Sequence, residues 1–290
     1  MDDLRIYHHF YEYFKTNYFT GILLGIILVA IFLKHLPGSV YLIRFFSFFS
    51  NHPKRTLVLF CLLGVALRIT WLFLCHYRPA FQWSDKYQLL MTFTEYDQIN
   101  LNAADIARGI WFENADGVPM VRRPMGYPTF LGFFYSLFGC NTLVLYSLQI
   151  ALFVATAILI YLLGTHLYKK EAGLLAAVLF CLYPVSIYSI SLALDEHLFL
   201  PLWFFGLYLL LMEMKGQPIR FALVWYGLFF GYATMTRTHT IFMPLVVAYA
   251  YTLIKYSKRK VILSLIAVFL ISQIPTIPWA IRNYRIWGDY

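Results

Sequence analysis

The sequence predicts an all-α, polytopic transmembrane bundle of about eight spans, with one long extracytoplasmic loop carrying short surface helices. Three observations predict it. The 290 residues are 61% hydrophobic and only 13% charged, which is too little polarity to cover a soluble domain. The apolar stretches are continuous rather than alternating, so helices are favoured over barrel strands. The basic residues gather in short linkers between those stretches.

The elements follow in chain order. The chain opens Met1-Asp2-Asp3, with no basic segment before its first apolar run and no small-residue cleavage site after it, so 18-35 reads as an anchor rather than a secretory signal. Residues 1-56 are assigned to an N-terminal apolar anchor region and 57-290 to the main transmembrane module. Roughly 20 residues cross the hydrocarbon as a helix, and runs of about that length recur at 57-76, 143-167, 172-190, 192-212, 221-237, 239-256 and 261-280.

Between the second and third of these spans lies the one long connection, Arg78 to Met125. Loops of that length are functional or disordered, and Trp83, Tyr87, Phe93, Tyr96, Trp111 and Phe112 argue for order. Asn102 to Gly109 carries a helix-start residue, a helix-forming run and a terminating glycine, which predicts a short helix on the membrane surface. Pro124 and Pro128 then break the helix, and the apolar run Thr129 to Phe138 is too short to cross, so it is re-entrant or interfacial. Cys61, Cys75, Cys140 and Cys181 form neither a zinc motif nor a disulfide framework.

The net charge of +9 is a topology signal. Lys54, Arg55, Lys169, Lys170, Lys215, Arg220, Lys255, Lys258, Arg259 and Lys260 all fall in linkers that alternate counting puts on one side, which the positive-inside rule makes cytoplasmic. Anionic lipid complements that face, and nucleic acid is not an expected partner. The long loop, the turn at Asp195-Glu196-His197, Arg237 and Arg282-Asn283-Tyr284 then share the outer face.

Each polar residue there has two readings. Asp97 is a general base or a solvated capping carboxylate, with Glu95 and Asp85 competing for the role. Glu196 marks an interfacial turn, or orients a substrate or holds a cation. Arg237 and Arg282 snorkel to headgroups, or clamp phosphate oxygens through the guanidinium fork. His197 and His239 are interfacial hydrogen-bonders or metal ligands. Trp111 and Phe112 stack on a sugar or belong to the interfacial aromatic belt.

The order of these features resembles the lipid-dependent glycosyltransferases of the GT-C superfamily, in particular the bacterial family 39-like enzymes related to protein O-mannosyltransferases and the aminoarabinose transferase of lipid A. The resemblance covers about Tyr96 to Asp289. Its elements are a loop acid, the segment Ala103-Ala-Asp-Ile-Ala-Arg-Gly109, and the run Arg123-Pro124-Met125-Gly126-Tyr127-Pro128. Then come Ser191-Leu-Ala-Leu-Asp195-Glu196-His-Leu-Phe199, the Gly-rich helix Gly227 to Arg237, and Pro278-Trp279-Ala280-Ile281-Arg282-Asn283-Tyr284.

The resemblance implies inverting transfer of a sugar from a polyprenyl-phosphate donor to a glycan, lipid or protein acceptor, at the extracytoplasmic face of a bacterial inner membrane. It makes 57-290 a GT-C-like catalytic module. It implies Asp97 as base, Glu196 as the residue that orients the acceptor or a cation, and Arg237, Arg282, Arg123 and Arg122 as donor-phosphate ligands. Trp111, Tyr127 and His239 become acceptor or sugar contacts. No cofactor is required, and a divalent cation is left open. The chain departs from the family in two respects: Ile99 stands where a Tyr follows the loop acid, and the chain stops just after Asn283-Tyr284, where relatives continue. A flippase for a lipid-linked sugar and a non-catalytic subunit are the rival classes; the absence of an internal repeat and the gathering of charge at one face argue against the first.

Overall fold

The computed structural model describes residues 51–76, 82–84, 89–91, 97–110 and 125–287. The anchor predicted at 18-35, and nearly all of the region 1-56 that contains it, lie outside the described residues. The described part of the main module is all-α apart from one small ribbon.

Helix α1 (Pro53–His76) leads into the long loop, where β1 (Gln82–Ser84) and β2 (Leu89–Met91) pair antiparallel with Trp83 opposite Leu90. This ribbon was not expected from the sequence, which pointed only to helices there. Helix α2 (Asp97–Ala107) is the predicted surface-loop helix, but it starts five residues earlier than Asn102, so Asp97 occupies its first turn. Helix α3 (Gly126–Phe138) is the short apolar segment; Pro128 lies in its first turn, where a missing N–H costs nothing, so the proline begins this helix rather than breaking it. Gly139 ends it in a left-handed conformation at φ 86°.

The helices that follow build the bundle with α1. Helix α4 (Thr142–Leu167) is capped by Asn141, whose side chain accepts from the Val144 N–H at 3.0 Å. Helix α5 (Lys170–Leu182) returns alongside it so closely that a Cβ on Gly164 would lie 2.6 Å from the Gly173 Cα. The helix then breaks at Tyr183 before Pro184 and continues, bent by 50°, as α6 (Pro184–Tyr188) and a 3-10 turn, Ser189–Ser191. Helix α7 (Glu196–Met214) and α8 (Ala222–Thr236) form a hairpin, followed by a 3-10 turn (Thr238–Phe242), α9 (Met243–Leu253), α10 (Lys258–Gln273) and α11 (Ile277–Trp287).

The all-helical expectation is met, while the count of about eight spans is not reached. Among the described residues four helices are long and apolar enough to cross a membrane, or five where the bent α5–α6 pair is taken as one span. The stretches predicted at 221-237 and 239-256 appear as shorter helices because the chain turns at Arg237, which adopts an extended conformation with φ −141° and ψ 109°. Large apolar side chains such as Leu62, Phe73, Leu263 and Leu270 are more than half exposed on α1 and α10, as a hydrocarbon solvent would require.

Three apolar clusters hold the unit together. One joins α1, α4 and α5 through Leu57, Phe153, Leu174 and Cys181. A second joins α7 to α10 through Leu210, Tyr226, Phe230, Val247 and Val268. The third is smaller in reach but positions the site: Ile99 and Ala103 of α2, Tyr127, Leu131 and Tyr135 of α3, Leu145 of α4, and Ala193 and Leu198 at the start of α7.

Two of the basic linkers share one end. Lys215, after α7, donates to the His166 carbonyl at the end of α4, so the α4–α5 and α7–α8 connections lie together. Asp195 and Glu196 are therefore at the opposite end of α7, roughly 28 Å away for a helix of 19 residues.

Candidate functional site

The site is built from two helix ends that meet. Before α7 the chain reverses sharply: the Leu194 N–H donates back to the Leu192 carbonyl at 2.9 Å, and the Asp195 carbonyl takes the first helical bonds, from Leu198 and Phe199 at 3.2 and 2.9 Å. Glu196 thus falls in the first turn, where the helix dipole favours a carboxylate. At the far end of the hairpin α8 stops at Arg237, whose N–H closes the last turn on Ala233 at 2.7 Å, and a cation is favoured there for the same reason. The short connection makes the two helices antiparallel, so the carboxylate and guanidinium ends coincide. Arg237 Nη2 bonds Glu196 Oε1.

The pair is 40% and 46% exposed at its two side chains, so it is reachable rather than sealed. Ion pairs this open contribute little to stability, about 0–1 kcal/mol. The turn beyond is tied to it: Thr240 Oγ1 donates to the Arg237 carbonyl at 2.8 Å and faces Thr234 Oγ1 at 2.8 Å. His239 lies in that turn with its ring edge-on to Phe199 at 5.3 Å between centroids and near Trp203 at 6.3 Å.

Helix α3 docks its N-terminus directly against the last turn of α8. Tyr232 OH donates to the Gly126 carbonyl at 3.0 Å, and a Cβ on Gly126 would meet the Met235 backbone at 2.7 Å. Only glycine allows that approach. The next residue, Tyr127, is fully buried beside Gln149 of α4, and its hydroxyl is enclosed without a hydrogen-bond partner; burial pushes the phenol upward. Gln149 is also fully buried and donates from Nε2 to the Leu192 carbonyl at 2.8 Å. Asp195 is 8% exposed, and Glu196 Oε2 is buried without a hydrogen-bond partner.

Helix α2 brings the loop acid to the same region. Tyr135 OH donates to Asn100 Oδ1 at 2.7 Å, and Ile99 packs in one cluster with Ala193 and Leu198, which flank Asp195 and Glu196. Asp97 begins this helix, two residues before Ile99; the direction of its side chain lies outside what the structure describes.

At the C-terminal end, Trp279 packs with Ile106 of α2 and Met125 before α3. Arg282 is buried, stacks its guanidinium over the Trp279 ring at 4.3 Å and donates to Asn283 Oδ1 at 2.9 Å. The structure thus brings Glu196, Arg237, His239 and Tyr127 to one end of the bundle, and Arg282 against elements that border it. Trp111, Arg122 and Arg123 lie outside the described residues. Among the described residues no three His, Cys, Asp or Glu side chains are arranged to hold a metal ion.

Two buried polar residues escaped sequence reasoning. Gln149 is an isolated amide in an apolar run, and a polar residue within a span is itself a signal worth following. Arg68 is a full charge within α1, completely buried: it donates to the Gly64 and Cys181 carbonyls at 3.0 and 3.1 Å and to Ser186 Oγ at 2.7 Å, with its guanidinium 3.4 Å over the Phe153 ring.

The fold and the site together define a helical integral membrane protein with an acid–arginine centre at one end of its bundle. The chain matches the dolichyl-phosphate-mannose-protein mannosyltransferase family over residues 122–279, more than half its length, and belongs to that family. It is accordingly a membrane glycosyltransferase that draws its sugar from a dolichyl- or polyprenyl-phosphate donor. The matched range contains Arg122, Arg123, Tyr127, Glu196, Arg237 and His239, while Asp97, Trp111 and Arg282 fall outside it. Neither a curated protein nor a solved structure matches the chain.

Proposed function

We propose that the protein transfers the sugar with inversion to an extracytoplasmic glycan, lipid or protein acceptor, from the outer face of a bacterial inner membrane. The observation that carries this reading is the half-exposed Glu196–Arg237 pair where α7 and α8 meet. Cleaving a sugar–phosphate bond leaves developing negative charge on the phosphate, and a guanidinium matches those oxygens in a bidentate fork. Arg237 is the primary ligand for it, with Arg282, Arg123 and Arg122 as further ligands. Donor binding would draw Arg237 from Glu196 towards the phosphate and free the carboxylate to orient the acceptor hydroxyl or a cation.

The acceptor must lose a proton as it attacks the anomeric carbon, so a carboxylate within hydrogen-bond reach is required. Asp97 takes that role, supported by the packing of its helix against the Ala193–Leu198 region. Trp111 and His239 contribute acceptor or sugar contacts; the enclosed Tyr127 supports the site from behind. In the same reading the chain crosses the membrane about eight times, with the N-terminal run at 18-35 and the short helices α8 and α9 among the crossings, and the basic linkers face the cytoplasm.

The test is transfer by the purified protein in lipid, supplied with a polyprenyl-phosphate sugar and an acceptor from the cell envelope. Asp97→Asn should abolish transfer while leaving donor binding intact. Transfer at the wild-type rate by Asp97→Asn would remove it from the base role.

A further inference from the structure

We infer that Gln149 is a positioning residue for the transfer reaction: with the Tyr127 ring packed beside it, it fixes the Leu192–Asp195 reversal, and through that reversal the place of Glu196 opposite Arg237. The inference rests on the proposed role of the Glu196–Arg237 pair.

Gln149 is a primary amide with no exposed surface, one-third of the way along a helix that is otherwise almost wholly apolar. Burying an amide is costly unless its groups are bonded, and packing alone would be served better by leucine at this position. Its Nε2 reaches across to the Leu192 carbonyl, a residue 43 positions away, which also accepts the Leu194 N–H at 2.9 Å. Both lone pairs of that carbonyl are therefore used, one to make the reversal and the other to pin it to α4. The reversal has no regular secondary structure of its own and ends directly in Asp195 and Glu196.

Tyr127 completes the support from a third helix. Its ring is fully buried in the cluster containing Ala193 and Leu198, and its hydroxyl makes no hydrogen bond, so the support it gives the reversal is packing. Neighbouring Gly126 is bonded to Tyr232 of α8, the helix that ends in Arg237. One residue of α3 thus touches the acid's turn and the next touches the arginine's helix. A shift of about 1 Å in such a support costs on the order of a hundredfold in rate without removing any reacting group.

The experiment uses the full chain in lipid nanodiscs, with Gln149→Met, Gln149→Leu, Glu196→Gln and the combinations with Glu196→Gln. Gln149→Met removes the donor while keeping the volume. It should lower kcat at least tenfold and raise the acceptor KM, with the donor KM within threefold of wild type and no loss of thermal stability. The deciding readout is the cycle: on the Glu196→Gln background Gln149→Met should have no further effect, because its action passes through Glu196. Equal losses on both backgrounds would show a merely structural role and overturn the inference. Should Gln149→Met not fold, Gln149→Leu, which also removes the donor to the Leu192 carbonyl, supports the same cycle with the same two outcomes. If Glu196→Gln and Arg237→Ala themselves transfer sugar at the wild-type rate, the reading of the site fails. If they are slowed to a residual but measurable rate and Gln149→Met is unchanged, only the positioning role does.

Discussion

Helix α7 carries a glutamate at each end, and the two are treated in opposite ways. Glu213, in the last turn, accepts hydrogen bonds from Tyr226 OH at 2.6 Å and from Tyr251 OH at 3.0 Å, donors that are 0% and 2% exposed. It sits where the helix dipole disfavours an anion and is retained by two neutral donors from α8 and α9. Glu196, roughly 25 Å away in the first turn, has a favourable dipole, one half-exposed arginine partner and a second oxygen with no partner at all. The tyrosine-bound end is a joint between three helices in which both carboxylate oxygens are bonded. The arginine-bound end contributes little to folding and has capacity in reserve, which is what a group that must change partners during a reaction needs.

The arginines repeat the lesson. Arg68 has both terminal nitrogens committed and fills the gap left by the broken α5–α6 helix, taking up the Cys181 carbonyl near the break. Arg237 is 40% exposed with a single acidic partner. A charge in an apolar stretch is thus no sign of chemistry by itself; the number of its fixed partners separates glue from site.

The largest test of this contrast is Arg237→Ala. Removing a group that stabilises transition-state charge costs about 10²–10³ in kcat, or about 2.7–4 kcal/mol, and the folded protein should melt within a degree or two of wild type because the exposed pair contributes little. Transfer assays and thermal melts on the same nanodisc preparation check both halves. Glu213→Leu should do the reverse. It leaves two buried phenols without an acceptor, at about 1–3 kcal/mol each, so the melting temperature falls by several degrees while kcat per folded molecule stays near wild type. A Glu213→Leu protein that is stable but inactive would break the distinction between the two ends.

How far the sequence carried the argument depends on what kind of signal each residue left. The all-helical membrane class was legible because composition and run length act over the whole chain. Glu196 and Arg237 were legible as charges beside apolar runs, and their family order placed them together before any geometry was known. The turn at Arg237 was legible as the boundary between the stretches at 221-237 and 239-256, but the shortness of the helix after it was not, since nothing from Thr238 to Phe242 is a helix breaker and the whole stretch read as a full-length span. The start of α2 at Asp97 was also missed: Asn102 is a better cap in isolation, but burial of Ile99 and Asn100 against α3 and α7 extends the helix backwards. Gln149 left only one polar letter among many apolar ones, and its partner, a backbone carbonyl, leaves none.

Gly126→Ala probes the joint between α3 and the arginine end. The added Cβ would meet the Met235 carbonyl carbon and oxygen at 2.7 Å, and backbone cannot step aside as a flexible side chain would. Overpacking of this kind costs about 1–3 kcal/mol, and here it should also lower kcat several-fold, because relief requires α3 to move away from the turn that ends in Arg237. An alanine at Gly164, where α4 meets α5 near the opposite end of the bundle, would supply the control for loss of stability alone.

Tyr232→Phe is the mildest version of the same break. It deletes the hydroxyl that donates to the Gly126 carbonyl at 3.0 Å but leaves the ring, and the loss of one such bond is worth about 1 kcal/mol. The melting temperature should fall slightly, and kcat by no more than a few-fold, since the close packing at Gly126 persists. If α3 supports the site by shape, Gly126→Ala must exceed Tyr232→Phe in its effect on kcat by more than their difference in stability. Should the order be inverted, the hydrogen bond rather than the glycine contact is what registers α3 against the arginine end, and Tyr232 takes the place of Gly126 in the account of how the two glutamates of α7 come to differ.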